Sequence, residues 1–152
     1  MRALIQRVSS AQVSVEGQVA GAIGRGLLVL LGIGKDDTAA DGEWIARKLV
    51  NLRIFEDEQG KMGRSVQDVQ GGLLIISQFT LYGDLRKGNR PDFTESMPGP
   101  QAKEFYDAWM KRLRASCSLQ IEEGRFAAKM AVQSVNDGPV TIMIDSKKSA
   151  ED

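Results

Sequence analysis

Two short segments hold the residue types best able to do chemistry. The first is Ser77-Gln78-Phe79-Thr80-Leu81, which sets two hydroxyls and a carboxamide at the end of an apolar run beginning at Gly72. Strand alternation sends Ser77, Phe79 and Leu81 to one face and Gln78 and Thr80 to the other. One reading is a strand leaving the core, with Gln78 and Thr80 meeting water, and the pattern alone favours it. The other is a small polar site at a strand end beside a long loop. The second segment is Asn136-Asp137-Gly138-Pro139-Val140-Thr141. It reads as a hairpin turn into a strand that tolerates Pro at its first position. A Gly–Pro bond is cis in only about 5–6% of cases in folded proteins. If cis here, it would present backbone carbonyls in a fixed direction, as the gripping of a small polar group requires.

What the chain lacks narrows the chemistry further. Its 152 residues include no histidine and one cysteine, Cys117. Ser-His-Asp and Cys-His catalysis, imidazole bases and His-ligated metals are therefore excluded. Neither an intramolecular disulfide nor a Cys-based zinc site can form, and a reducing compartment fits best. No metal or cofactor is expected. A Thr80 hydroxyl would need a neighbouring base to act as nucleophile, and the sequence fixes none beside it.

Lys plus Arg and Asp plus Glu are 20 each, so the formal net charge is zero. That removes the strong electrostatic footprint of a typical nucleic-acid binder but leaves room for local patches. Arg86, Lys87 and Arg90 are interleaved with Tyr82 and Phe93, and Lys111, Arg112 and Arg114 crowd one segment. They read as a solvated loop and as cations at a helix C-terminus, or as a modest phosphate-contacting patch. Lys35-Asp36-Asp37 reads as a charged loop with no chemical role. Gly32-x-Gly34 lacks the rest of a dinucleotide fingerprint and reads as a strand-end turn. Glu56, Asp57 and Glu58 fall in a surface turn.

The elements that must position these residues follow from periodicity. Met1–Val8 reads as a strand, Gln12–Val15 and Gln18–Ile23 as a hairpin around Glu16-Gly17, and Gly26–Ile33 as a strand buried on both faces. Thr38-x-x-Asp41 opens a helix with Trp44, Ile45, Leu49 and Leu52 on one face. A strand begins at Arg53–Phe55, Glu56–Lys61 is a turn, and Gly72–Leu81 is the second strongly apolar strand. Tyr82–Met97 is a loop long enough to suggest function. Gly99-Pro100 opens the best helix, with Ala102, Phe105, Tyr106, Trp109, Met110 and Leu113 as its apolar stripe. Ser118–Ile121 and Ala127–Ser134 read as strands. Val140, Ile142 and Ile144 alternate as a final strand after the Asn136-Asp137-Gly138 turn. The sum is a single α+β domain with two main helices. It is not a regular βαβ alternation, which argues against a doubly wound sheet. The longest apolar stretch, Gly26 to Gly34, is far below the roughly 20 residues of a membrane helix. The N-terminal segment does not read as a secretory signal. A cytoplasmic protein without membrane or DNA partners is the expectation.

Both polar segments resemble the two signature motifs of the D-aminoacyl-tRNA deacylase family. Met1-Arg2-Ala3-Leu4-Ile5-Gln6-Arg7-Val8, Lys87-Gly88-Asn89-Arg90-Pro91 and Gly124-Arg125-Phe126 are similar to that family as well. The likeness runs from residue 1 to Ser146, with 147–152 as a short polar tail. It implies a compact, strand-rich, barrel-like domain with packed helices and a mixed or antiparallel sheet. It implies a homodimer with active sites at the subunit interface. The implied reaction is hydrolysis of the ester between a D-amino acid and the 3′ adenosine of tRNA, with mischarged glycyl-tRNA as a second substrate. Ser77, Gln78, Phe79 and Thr80 would form the catalytic segment. Gly138 and Pro139 would enter the partner's site as a cis pair and exclude L-amino acids, with Arg7, Met130 and Asn136 in support. The chain departs from the family pattern at Ala127-Ala128-Lys129-Met130, where Gly-Ala-Asp-Met is usual, and at Asn89, where a basic residue is usual.

Chemistry without histidine suits such a substrate, because an aminoacyl ester is already activated. Backbone N–H groups around Phe79 and Thr80 could form an oxyanion hole. Water, aided by the RNA's own 2′-hydroxyl, would attack, with Thr80 supporting. Two other readings compete: a non-catalytic tRNA 3′-end binding module, and a small-ester hydrolase with no RNA requirement.

Overall fold

The two most apolar runs of the sequence pair with each other. In the computed structural model, which describes residues 1–148, strand β3 (Gly26–Gly32) lies parallel to β6 (Gly72–Ser77). Leu27 sits opposite Leu73 and Leu31 opposite Ser77. Both strands are covered on both faces, as continuous apolar runs require. Their starts approach so closely that a Cβ on Gly26 would overlap the Gly72 carbonyl. This pairing carries Ser77 to the strand end, where the Gln78 N–H donates to Leu31 O at 2.7 Å.

A single long strand, β1 (Arg2–Val15), organises the remainder. Strand β8 (Ala131–Asp145) runs antiparallel along almost its whole length. The other edge of β1 is divided between β3, paired with residues 2–8, and β2 (Gln18–Ile23), paired with residues 11–15. On the far side β7 (Gln120–Glu123) pairs parallel to β6. The sheet curls until β2 meets β7: Gln120 Nε2 donates to Ala22 O at 3.4 Å, and a Cβ on Gly21 would lie 2.9 Å from Glu123 O. The result is the nearly closed, barrel-like mixed sheet that the family resemblance implies. A small hairpin, β4 (Phe55–Glu56) with β5 (Met62–Arg64), stands apart, its turn at 57–61 where the sequence places one.

Alternation sorts the core into two layers. Leu27, Val29, Leu31, Leu73 and Ile75 face the helices α1 (Ala39–Asn51) and α2 (Gly99–Ser116). There they meet Ile45 and Leu49 of α1 and Tyr106, Trp109, Met110 and Leu113 of α2. Leu28, Leu74 and Ile76 point inward with Val8, Ala11, Val13 and Ile23, and Leu30 and Met130 close this inner layer. Trp109 Nε1 donates to Gly42 O at 2.8 Å and pins α2 to α1.

Four expectations from the sequence are corrected. Met1–Val8 and Gln12–Val15 belong to one strand, because a bulge near Val8–Ser10 shifts the alternation without ending the pairing. The strand starting at Gly72 ends at Ser77 rather than Leu81, since Phe79–Tyr82 forms a 3-10 turn. The strand expected over Ala127–Ser134 starts only at Ala131, because Ala127 takes a positive φ of 62° in the turn before it. The Asn136-Asp137-Gly138 hairpin turn does not exist: β8 passes straight through it.

Asp37, read as part of a charged loop without a role, is buried. It accepts from the Met1 amino group at 2.6 Å and from the Gly34 N–H at 2.6 Å. A second 3-10 turn, Ser146–Lys148, closes against this cluster, with Ser146 Oγ 2.7 Å from the same amino group. Lys147 and Lys148 of the expected tail fall in this turn, and residues 149–152 lie outside the described residues.

At the start of α1, burial works against ionisation of Asp41. Hydrogen bonds from the Thr38 N–H, Ser146 and Lys147 outweigh it and hold the carboxyl far below its ordinary range. A depressed folded-state value means stability that is present above the unfolded value of about 3.9 and lost as pH falls through the folded one. Asp41→Asn is therefore expected to cost about 1 kcal/mol at pH 7, as helix-capping contacts do. The gap from the parent should close progressively below about pH 4, as read by denaturant melts across pH.

Candidate active site

Where β6 ends, the backbone turns tightly and leaves donors free. Leu81 N–H donates to Gln78 O at 3.3 Å and Gly83 N–H to Thr80 O at 3.0 Å, closing the 3-10 turn. A turn of this kind leaves its first N–H groups without an internal acceptor. Among the described residues no acceptor is paired with the N–H of Phe79 or Thr80. Gln78 Nε2 donates to Thr80 Oγ1, so the carboxamide fixes the hydroxyl. The alternation expected for Ser77–Leu81 thus stops at Ser77. The Phe79 ring is 57% exposed and meets Phe93 edge-on at 5.0 Å between centroids.

Beside this turn lies a cleft of roughly 760 Å³, within the range of small-ligand sites. Its floor comes from Ile76, Ser77, Gln78 and Phe79. One wall is Phe93, Thr94, Ser96 to Pro98 and the first turn of α2, and the other is Phe126 to Ala128 with Met130 and Val132. No lining residue carries an ionisable side chain. A cleft so built can position and polarise through backbone dipoles, but it holds no side-chain acid or base.

The second motif lies elsewhere on the chain. Val8 pairs with Asn136 and Gln6 with Thr141, so the four residues 137–140 oppose Arg7 alone. The chain bulges outward there, with Gly138–Pro139 at its crest as a cis bond. Arg7, buried, anchors the bulge. Its Nε donates to Asp137 O at 3.0 Å and lies 3.1 Å from the Asp137 carboxylate, and its Nη1 donates to Ile54 O at 2.7 Å. Asn136 clamps the base of the bulge through Nδ2, which donates to Arg7 O at 3.0 Å and Val140 O at 3.4 Å. Every residue from Ala131 to Pro139 is exposed, including Val132 and Val135.

The structure thus brings Ser77, Gln78, Phe79 and Met130 into one cleft and sets Thr80 against Gln78. It keeps Gly138 and Pro139 out of that cleft within one chain, and places Arg7 and Asn136 under them. Phe126, Phe93 and Met97 were not picked out for the site. Phe126 carries no mark beyond its place in the Gly124-Arg125-Phe126 resemblance, and the loop wall has no pattern of its own. Of the basic residues singled out, Arg86 is tied to Asp84, whose carboxyl its hydrogen bonds bring down to about 2. Arg114 is tied to Glu123 at 2.8 Å. Tyr82, in the loop by sequence, is buried beneath Arg2 at 4.4 Å, and burial beside Asp37 pushes its hydroxyl above the ordinary range.

Strand-rich barrel, two helices and a strand-end cleft together define a known class. The profile described as D-Tyr-tRNA(Tyr) deacylase matches residues 4–145, and the chain belongs to that family. A curated relative from Thermotoga petrophila, named D-aminoacyl-tRNA deacylase, is 56% identical over 148 residues, which are 97% of this chain and 99% of the relative. A relative of the same name from Koribacter versatilis is 55% identical over the same shares. Among solved structures, one titled c-Myc DNA Unwinding Element Binding Protein matches with a TM-score of 0.91 and 48% identity, covering 95% of this chain and 98% of its own. A probable eukaryotic D-amino acid tRNA deacylase matches in fold with a TM-score of 0.80 at 16% identity, covering 94% of this chain and 97% of its own.

Arg7 spans two carbonyls from two different nitrogens, which a lysine cannot do. Arg7→Lys is expected to lower stability by about 2 kcal/mol, since charged hydrogen bonds contribute about 1.5–3 kcal/mol each and one is retained. Hydrogen exchange should accelerate at residues 137–141 more than in β3 or β6. Equal acceleration throughout would show that Arg7 supports the sheet as a whole and not the bulge.

Proposed function

We propose that this chain hydrolyses the ester between a D-amino acid and the 3′ adenosine of tRNA, releasing both. The observation that carries the mechanism is a cleft without an ionisable side chain among its lining residues, with the unpaired N–H of Phe79 on its floor and that of Thr80 in the turn beside it. The ester carbonyl sits over the N–H groups of Phe79 and Thr80, which stabilise the oxyanion as water adds. Loss of one such donor typically costs about 10²–10³ in rate. The attacking water is assisted by the neighbouring 2′-hydroxyl of the RNA. Thr80 accepts a hydrogen bond from Gln78 and, among the described residues, no base takes its own proton, so it orients rather than attacks.

The working unit in this reading is a homodimer. Residues 131–139 present Val132, Val135 and Pro139 to solvent, and a second copy would cover them. Gly138–Pro139 of one protomer then enters the partner's cleft. Its carbonyls take the α-amino group, so that an L side chain strikes protein and a D side chain points to open space. Glycine has no side chain to exclude, which makes glycyl-tRNA a second substrate. Among the described residues no helix is long and apolar enough to cross a membrane, and the site of action is the cytoplasm, with tRNA.

Incubation with D-tyrosyl-tRNA should release tyrosine, while L-tyrosyl-tRNA stays intact. Binding without release would make the chain a tRNA-end binding module, and equal turnover of a free D-amino-acid ester would make it a small-ester hydrolase. Thr80→Val should keep activity within about tenfold, whereas a trapped acyl group on Thr80 would overturn the water mechanism. Sedimentation equilibrium should give twice the chain mass of 16.6 kDa. A monomer that remains active and D-selective would refute the shared site.

A further inference from the structure

Residues 125–130 form and flank one wall of the cleft. Phe126, Ala127, Ala128 and Met130 line it, while Arg125 and Lys129 are exposed beside it. Neither cation is paired with a carboxylate among the described residues. The nearby acid Glu123 is taken up by Arg114 and Tyr106, and the nearby cation Lys103 by Asp107. The turn itself is shaped by the positive φ of Ala127 and the Ala128 N–H to Arg125 O bond of 3.1 Å, which hold the two cations on one lip. The opposite lip differs. Its loop is pinched by the Asp84–Asp92 bridge, and Lys87 and Arg90 lie on the tip beyond that bridge, outside the lining residues Phe93 and Thr94.

We propose that Arg125 and Lys129 bind the phosphates immediately 5′ of the terminal adenosine and so hold the single-stranded tRNA end over the cleft. This rests on the deacylase reading above and adds to it a positioning role on the RNA side. An ester in an apolar cleft without side-chain charges gains no electrostatic grip from the lining, so the nearest free cations supply it.

The test compares two substrates, D-tyrosyl-tRNA and 3′-O-(D-tyrosyl)adenosine, which lacks those phosphates. In Arg125→Gln/Lys129→Gln, the ratio of kcat/KM on tRNA to that on the adenosine ester should fall about tenfold, mainly through KM. The slope of log KM against log salt for tRNA should shallow by about 1.4, from about 0.7 per single-strand phosphate contact. Lys129→Arg alone should retain the parent ratio. An unchanged ratio, whether both activities hold or both fall, would overturn the proposal while leaving the deacylase reading intact. A parent protein that turns over neither substrate would overturn both.

Discussion

The Arg7 guanidinium is the contact on which the arrangement of this molecule most depends. It sits in β1, the strand that β8 follows along one edge and that β3 and β2 share along the other. From there it reaches the carbonyl of Asp137 in the bulge and that of Ile54 just beyond α1. A buried guanidinium is tolerable only if its donors are used, and here two structural tasks use them. The same residue opposes four residues of β8, so the excess length must leave the sheet at that point. Bulges re-aim a strand and raise its twist, and this one occurs where the chain carries Gly138–Pro139 outward. Asn136 fixes the other side of the opening, so the crest is held at both feet.

The cleft depends on a different kind of constraint. β3 and β6 are so closely packed at Gly26 and Gly72 that their register has no freedom to slip. Register fixes Ser77 opposite Leu31, the Gln78 N–H to Leu31 O bond closes the pairing, and the chain then leaves the strand in a 3-10 turn. The 3-10 turn that follows exposes two N–H groups in the place where β6 ceases to be covered. The donors are therefore products of strand termination, held by the buried part of the sheet rather than by mobile side chains. That is the condition for electrostatic preorganisation: dipoles that need not reorient when charge develops. An aminoacyl ester asks for little more than this, which is why a chain without histidine can still be built as a hydrolase.

Legibility in the sequence followed the same physics. The apolar runs, the two helices and the long loop were plain, because burial on both faces and a helical stripe leave direct marks. The end of β6 was not, because Ser77-Gln78-Phe79-Thr80-Leu81 alternates like a strand while its backbone turns. The bulge was read as a hairpin turn because Asn-Asp-Gly has turn chemistry whether the chain reverses or only bulges. Asp37 carried no mark at all: it is held by the Met1 amino group and the Gly34 N–H, with Lys147, more than a hundred residues away, at 3.8 Å. The motif residues Ser77, Gln78 and Phe79 were found in the cleft, but Phe93 and Phe126 form its walls only through the tertiary fold.

Zero net charge shapes how such a site meets a polyanion. With 20 cations against 20 anions, the whole-molecule field offers little long-range steering, and at physiological salt fields fade within about 8 Å in any case. Attraction must then come from cations not already used. Arg86 and Arg114, prominent in the sequence, are held by Asp84 and Glu123, and pairing of this kind removes most of their outward field. Arg125 and Lys129 keep theirs among the described residues, and they stand beside a cleft whose lining has no ionisable side chain. A protein that grips only the end of a long RNA has reason to be so arranged. Broad basicity would hold any part of the RNA equally, whereas in the proposed arrangement two cations at the lip favour the end that carries the ester.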